Sequence, residues 1–103
     1  MVKIINRKKY DTETAELLHA WNNGIFDNDF RSCSEDLCRT KNGAFFLHGS
    51  GGPTSEYAVS YGNTTSGGQD IRPLSQQEAI DWLEGHDGED AIIEHFSDQI
   101  EEA

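Results

Sequence analysis

The residues of this sequence with chemistry to offer are His19, His48, His86 and His95, the thiols of Cys33 and Cys38, and a long run of carboxylates. Cys33 and Cys38 have four residues between them, and His48 follows within reach of the same stretch. Structural zinc wants four ligands in two closely spaced pairs, and no second pair is present. The two cysteines therefore read as small, partly buried free thiols rather than as a metal site. Gly49-Ser50-Gly51-Gly52 offers backbone N–H groups to a phosphate, but the lysine and the helix start that make such a loop specific are missing. His86-Asp87-Gly88-Glu89-Asp90 has oxygen ligands without the spacing of a calcium loop, and reads as a turn between helices. Ser50 or Cys33 could serve as a nucleophile, yet none of the histidines stands at a diagnostic spacing from either. No catalytic residue, metal or cofactor is assigned on this basis. Were the chain a small accessory enzyme, His48 beside the glycine-rich loop would be the first residue to test.

The carboxylates carry more information. The chain has 8 Lys and Arg against 19 Asp and Glu, a formal net charge of -11, and no Lys or Arg follows Arg72. The acids of that last third include Glu78, Asp81, Glu84, Asp87, Glu89, Asp90 and Glu94, which are the candidate partner-binding residues. A block of one sign repels nucleic acid and anionic lipid, so neither direct nucleic-acid binding nor membrane association is expected. The complementary surface is a cationic groove, above all that of a nucleic-acid-binding protein, for which these carboxylates would mimic a run of phosphates. Solubility is the rival explanation. A merely soluble helix pair would intersperse both signs for side-chain pairing, and this segment does not.

The elements that must position these groups follow from pattern and turn chemistry. At 103 residues the chain fits a single domain over 1–103, with 1–72 mainly β and rich in glycine loops, 73–97 helical, and 98–103 a frayed tail. Residues 2–5 are β-prone, Asn6-Arg7-Lys8-Lys9 turns the chain, and Tyr10 returns it as a second short strand. Residues 12–22 fit either a strand or a helix, and a strand is favoured because Asn22-Asn23-Gly24 then makes a natural turn. Residues 36–40 and 44–48 flank Lys41-Asn42-Gly43, the clearest hairpin signal in the chain. Residues 49–53 and 62–68 read as loops, with a short strand at 57–61 between them. Ser75 is an N-cap with Glu78 as its capping-box partner, and Gly85 stops the helix they open. A second helix near 89–96 would use Ile92, Ile93 and Phe96 as its apolar side. The expected fold is α+β, a small antiparallel sheet of three to four strands followed by two C-terminal acidic helices. No segment reaches the length of a signal or membrane-spanning run, so a cytoplasmic protein is expected.

Several stretches resemble a family of small uncharacterised proteins of phages and mobile elements. They are Lys3-Ile4-Ile5-Asn6 with Tyr10-Asp11-Thr12-Glu13-Thr14-Ala15, Leu37 with Arg39-Thr40-Lys41-Asn42-Gly43 and Phe45-Phe46-Leu47-His48-Gly49, and Gly51-Gly52 with Tyr57-Ala58. Ile71 with Pro73-Leu74-Ser75, and Glu78-Ala79 with Trp82, complete a likeness that covers roughly residues 3–96. No catalytic motif comes with it. What the resemblance implies is context: small acidic proteins of mobile elements include anti-CRISPR inhibitors, and the partner would then be a CRISPR effector. A self-associating structural protein of a mobile element is the further alternative.

Overall fold

The computed structural model describes residues 1–25 and 29–103. The chain runs β1 (Val2–Ile5), β2 (Lys8–Asp11), β3 (Glu16–Asn22), β4 (Cys33–Arg39), β5 (Phe45–Gly51), β6 (Val59–Tyr61), β7 (Thr64–Ser66), β8 (Gly68–Leu74), α1 (Gln76–Gly85), α2 (Glu89–His95) and a 3₁₀ turn at Ser97–Gln99. The principal sheet is antiparallel in the order β3-β4-β5-β8, and β1-β2 and β6-β7 form two separate two-stranded ribbons. The α+β architecture with two C-terminal helices is thus present, and residues 16–22 form a strand.

Side-chain alternation along β4 and β5 explains the layering. Leu37 pairs with Leu47 and Cys38 with Phe46, so adjacent residues of each strand point to opposite faces. Leu37 and Leu47 meet Ala79, Ile80, Leu83, Ala91, Ile92 and Phe96 from the helices. Cys38 and Phe46 meet Tyr10 and Ile71, with Ile5 packed against them. The sheet therefore lies between the helix pair on one face and the N-terminal ribbon on the other. Burial of these two apolar sets, at about 25 cal/mol per Å² removed from water, is what holds the three layers together.

Local chemistry sets the element ends. Gly43 turns the β4-β5 hairpin at φ 89°. Ser75 caps α1 by accepting from the Glu78 N–H at 3.1 Å, while the Glu78 carboxylate accepts from the Ser75 N–H at 2.9 Å.

The structure departs from the sequence reading in four places. Gly49 and Ser50 do not open a loop, because they continue β5 and pair with Asp70 and Gln69. Residues 68–74 form β8, and Pro73 is tolerated there because the strand is an edge and needs no inward-donating N–H. Residues 62–68 hold the short strand β7 rather than loop alone. Ile93 is not on the buried side of α2: it is 62 % exposed, and Ala91 with Ile92 is buried instead.

Candidate functional site

All seven predicted partner-binding carboxylates, Glu78, Asp81, Glu84, Asp87, Glu89, Asp90 and Glu94, are exposed on α1, α2 and the turn between them. Glu78 is committed to the helix cap, which holds its carboxyl below the usual range through the Ser75 N–H. Asp81 accepts from the Gln77 side-chain amide at 3.0 Å, and Glu94 lies 3.7 Å from its neighbour His95. Among the described residues, none of the seven pairs with a Lys or Arg. Elsewhere on the surface most of the cations face a local acid, as Lys3 with Asp70 at 2.5 Å, Arg31 with Asp29 at 3.1 Å, Arg39 with Glu16 at 2.6 Å and Arg72 with Glu56 at 3.1 Å. The acidic helical face keeps its charge, and the rest of the surface partly cancels its own.

Beneath that face lies a constellation that sequence reasoning missed. Glu35 on β4 is only 6 % exposed. Its carboxylate accepts from the Tyr57 hydroxyl on one oxygen and from the Trp82 indole N–H at 3.1 Å on the other. His86 places its Nε2 3.5 Å from the same Glu35 Oε1 and donates from Nδ1 to the Trp82 carbonyl at 2.6 Å. The imidazole is stacked on Trp82, with ring centres 4.4 Å apart, and meets Trp21 edge-on at 4.7 Å. His19 donates from Nε2 to the His86 carbonyl at 2.9 Å.

The backbone explains why these groups converge. Glu35 sits across from Trp21 on β3 and Gly49 on β5. A Cβ on Gly49 would stand 1.9 Å from the Tyr57 ring, so the missing side chain is what admits that ring to the carboxylate. The Arg72 guanidinium covers the ring from outside at 4.5 Å. The signal for Glu35 was available: on β4 an acid two residues from Leu37 shares its inward face. Its partners come from residues 21, 57, 82 and 86, which no local spacing connects.

Chemically the constellation is a clamp. Both ring nitrogens of His86 are turned to internal acceptors, and burial together with the adjacent Glu35 pushes the Tyr57 hydroxyl well above its ordinary range. The thiols are similarly held protonated, Cys38 at about 11 and Cys33 also raised, both chiefly by burial. Cys33 and Cys38 point to opposite faces of β4, and among the described residues no group of three or more His, Cys, Asp or Glu could hold a metal. His48 stands on the face opposite Glu35, bonded to Gln69 at 2.8 Å, and does not meet Cys33. Among the described residues no helix is long and apolar enough to cross a membrane.

Compared with known proteins, the chain matches no family model, no curated protein and no solved structure.

Proposed function

We propose that the protein is an acidic binding protein that inhibits a nucleic-acid-binding partner by presenting the carboxylates of α1, α2 and their connecting turn to its cationic groove. The observation that carries this reading is the segregation of charge: the helical face holds exposed acids with no Lys or Arg partner among the described residues, whereas most cations elsewhere are paired with acids of their own neighbourhood. On α1, Glu78, Asp81 and Glu84 rise about 4.5 Å per step along the axis, comparable with the 3.4 Å rise per phosphate along one DNA strand. Ile93, exposed between Asp90 and Glu94, gives the same face one apolar anchor. The Glu35 clamp holds the α1–α2 junction to the sheet, so the carboxylates of Asp87, Glu89 and Asp90 meet a partner without first being ordered. Given the resemblance of residues 3–96, a CRISPR effector complex in a host cytoplasm is the partner to test first, which would make the protein an anti-CRISPR.

The test is competition. Purified effector ribonucleoprotein is mixed with labelled target DNA, and the protein is added across a range of salt concentrations. Displacement of DNA that weakens as salt rises is expected, with loss of displacement when Glu84, Asp87, Glu89 and Asp90 are all changed to Lys. Undiminished displacement by that charge-reversed variant would sink the reading, as would undisturbed DNA binding at a large excess of the wild-type protein. Loss of activity on His48→Ala with intact folding would favour an enzyme instead.

A further inference from the structure

The acidic total hides one region of opposite sign. The turn of the N-terminal ribbon and the turn of the β4-β5 hairpin enclose a cleft of about 530 Å³ whose walls include Arg7, Lys8, Thr14, Thr40, Lys41 and Asn42. A second concavity of about 520 Å³ adjoins it and shares Thr14, Thr40, Lys41 and Asn42. The walls also hold two ion pairs, Lys9 with Asp11 at 3.7 Å in the first concavity and Arg39 with Glu16 at 2.6 Å in the second, so each of these carboxylates lines the space beside its own cation. Arg7, Lys8 and Lys41 have no such partner among the described residues. Thus, among the described residues, the three Lys and Arg side chains without a carboxylate partner all line one cleft.

Two local features single this cleft out from a chance cluster. Asn6 and Arg7 form the two-residue loop of the ribbon at φ 52° and 66°, a turn in which glycine is the usual second residue. The chain instead holds an arginine there, in a backbone region that L residues with long side chains avoid, and so sets a guanidinium on the rim. The Thr40 hydroxyl accepts from the Ala44 N–H at 3.0 Å, which leaves its own proton to donate. Guanidinium, ammonium and hydroxyl donors around a concavity of several hundred Å³ are the recognition chemistry of a phosphate group on a small molecule.

We infer that the cleft between the two hairpin turns is a binding site for a small phosphorylated anion, held by Arg7, Lys8 and Lys41. It lies on the ribbon side of the sheet, is independent of the acidic helical face, and requires neither metal nor covalent chemistry. The negative field of the rest of the molecule opposes any anion, so affinity depends on these three side chains and falls with salt.

Calorimetric titration of the full chain with inorganic pyrophosphate, ATP and adenosine, at about 20 mM and about 300 mM salt, tests the site. Saturable binding of pyrophosphate and ATP is expected at low salt, weakened at high salt, with none for adenosine. Arg7→Gln and Lys41→Gln should each weaken binding about tenfold, whereas Arg31→Gln, an exposed arginine outside the cleft, should leave it unchanged. Arg7→Gly relieves the turn while removing the guanidinium, so it should melt no lower than wild type and still bind about tenfold more weakly. Failure of pyrophosphate to saturate, or equal loss in Arg31→Gln, overturns the site. Tighter binding of a short single-stranded DNA than of pyrophosphate, phosphate for phosphate, would assign the cleft to a nucleic-acid backbone and overturn it as well.

Discussion

A carboxylate taken out of water costs several kcal/mol unless donors replace the solvent. Glu35 has the Tyr57 hydroxyl, the Trp82 indole and the His86 imidazole around it, the first from the loop before β6 and the other two from the end of α1. Its removal leaves these groups facing one another without a common acceptor. Glu35→Gln keeps the shape but turns one oxygen into an NH₂ that must face either the Tyr57 O–H or the Trp82 N–H. A loss of about 2–3 kcal/mol in a urea unfolding titration is therefore expected, with a shift of tryptophan emission in the folded state. Glu56→Gln offers the control, since its pair with Arg72 is solvent-exposed and such pairs contribute less than about 1 kcal/mol. Equal effects of the two substitutions would show that Glu35 is not the centre of a clamp.

At the scale of elements, glycines separate packing from backbone freedom. Gly49 lies in β5 where an added Cβ would penetrate the Tyr57 ring, so Gly49→Ala must push that ring off Glu35 or bend the strand. A destabilisation of about 2–3 kcal/mol is expected by thermal or urea unfolding. Gly85 ends α1 with open space around its Cα and no left-handed backbone, so Gly85→Ala should be neutral or stabilising by up to about 1 kcal/mol. A milder effect at Gly49 than at Gly85 would contradict the packing just described. The same comparison shows what the chain makes legible. Turn and cap signals are local, so Lys41-Asn42-Gly43 and Ser75 with Glu78 were readable as they stand. Gly49-Ser50-Gly51 reads as a loop because its composition is that of a loop; its strand character comes from pairing on both sides, with β4 and, across some twenty residues of intervening chain, with β8. The bulge between Leu17 and His19 is likewise invisible in a period-two pattern, although it sets which side chains of β3 reach the helices. Ile93 reads as core from the pattern yet lies in solvent for a related reason: in a helix of seven residues one register shift moves an isoleucine from core to solvent. The candidate carboxylates needed no tertiary information, because their exposure follows from charge. Glu35 and its partners needed nearly all of it.

The whole molecule is a charged sandwich: among the described residues, helical acids without a Lys or Arg partner lie on one face of the sheet, and the three Lys and Arg side chains without a carboxylate partner lie on the other. That arrangement has a thermodynamic consequence that separates binding from mere solubility. The acids of the helical face repel one another, and with a net charge of -11 the molecule as a whole repels itself. Screening should relieve more repulsion than it removes from the few exposed ion pairs, so raising salt from about 20 mM to about 500 mM should raise the melting temperature by several degrees. Changing Glu84, Asp87, Glu89 and Asp90 to their amides should raise the low-salt melting temperature in the same way and shrink its salt dependence, since among the described residues none of the four has a Lys or Arg partner to lose and the repulsion relieved outweighs what Glu89 and Asp90 contribute in the first turn of α2. A surface kept acidic only for solubility would yield those substitutions without functional loss. A surface built to occupy a cationic groove would yield stability and lose binding together, because the repulsion within the free protein is what the partner's cations neutralise. Measured on one set of variants, a higher melting temperature with unchanged competition against nucleic acid would decide for solubility, and a higher melting temperature with weaker competition would decide for mimicry.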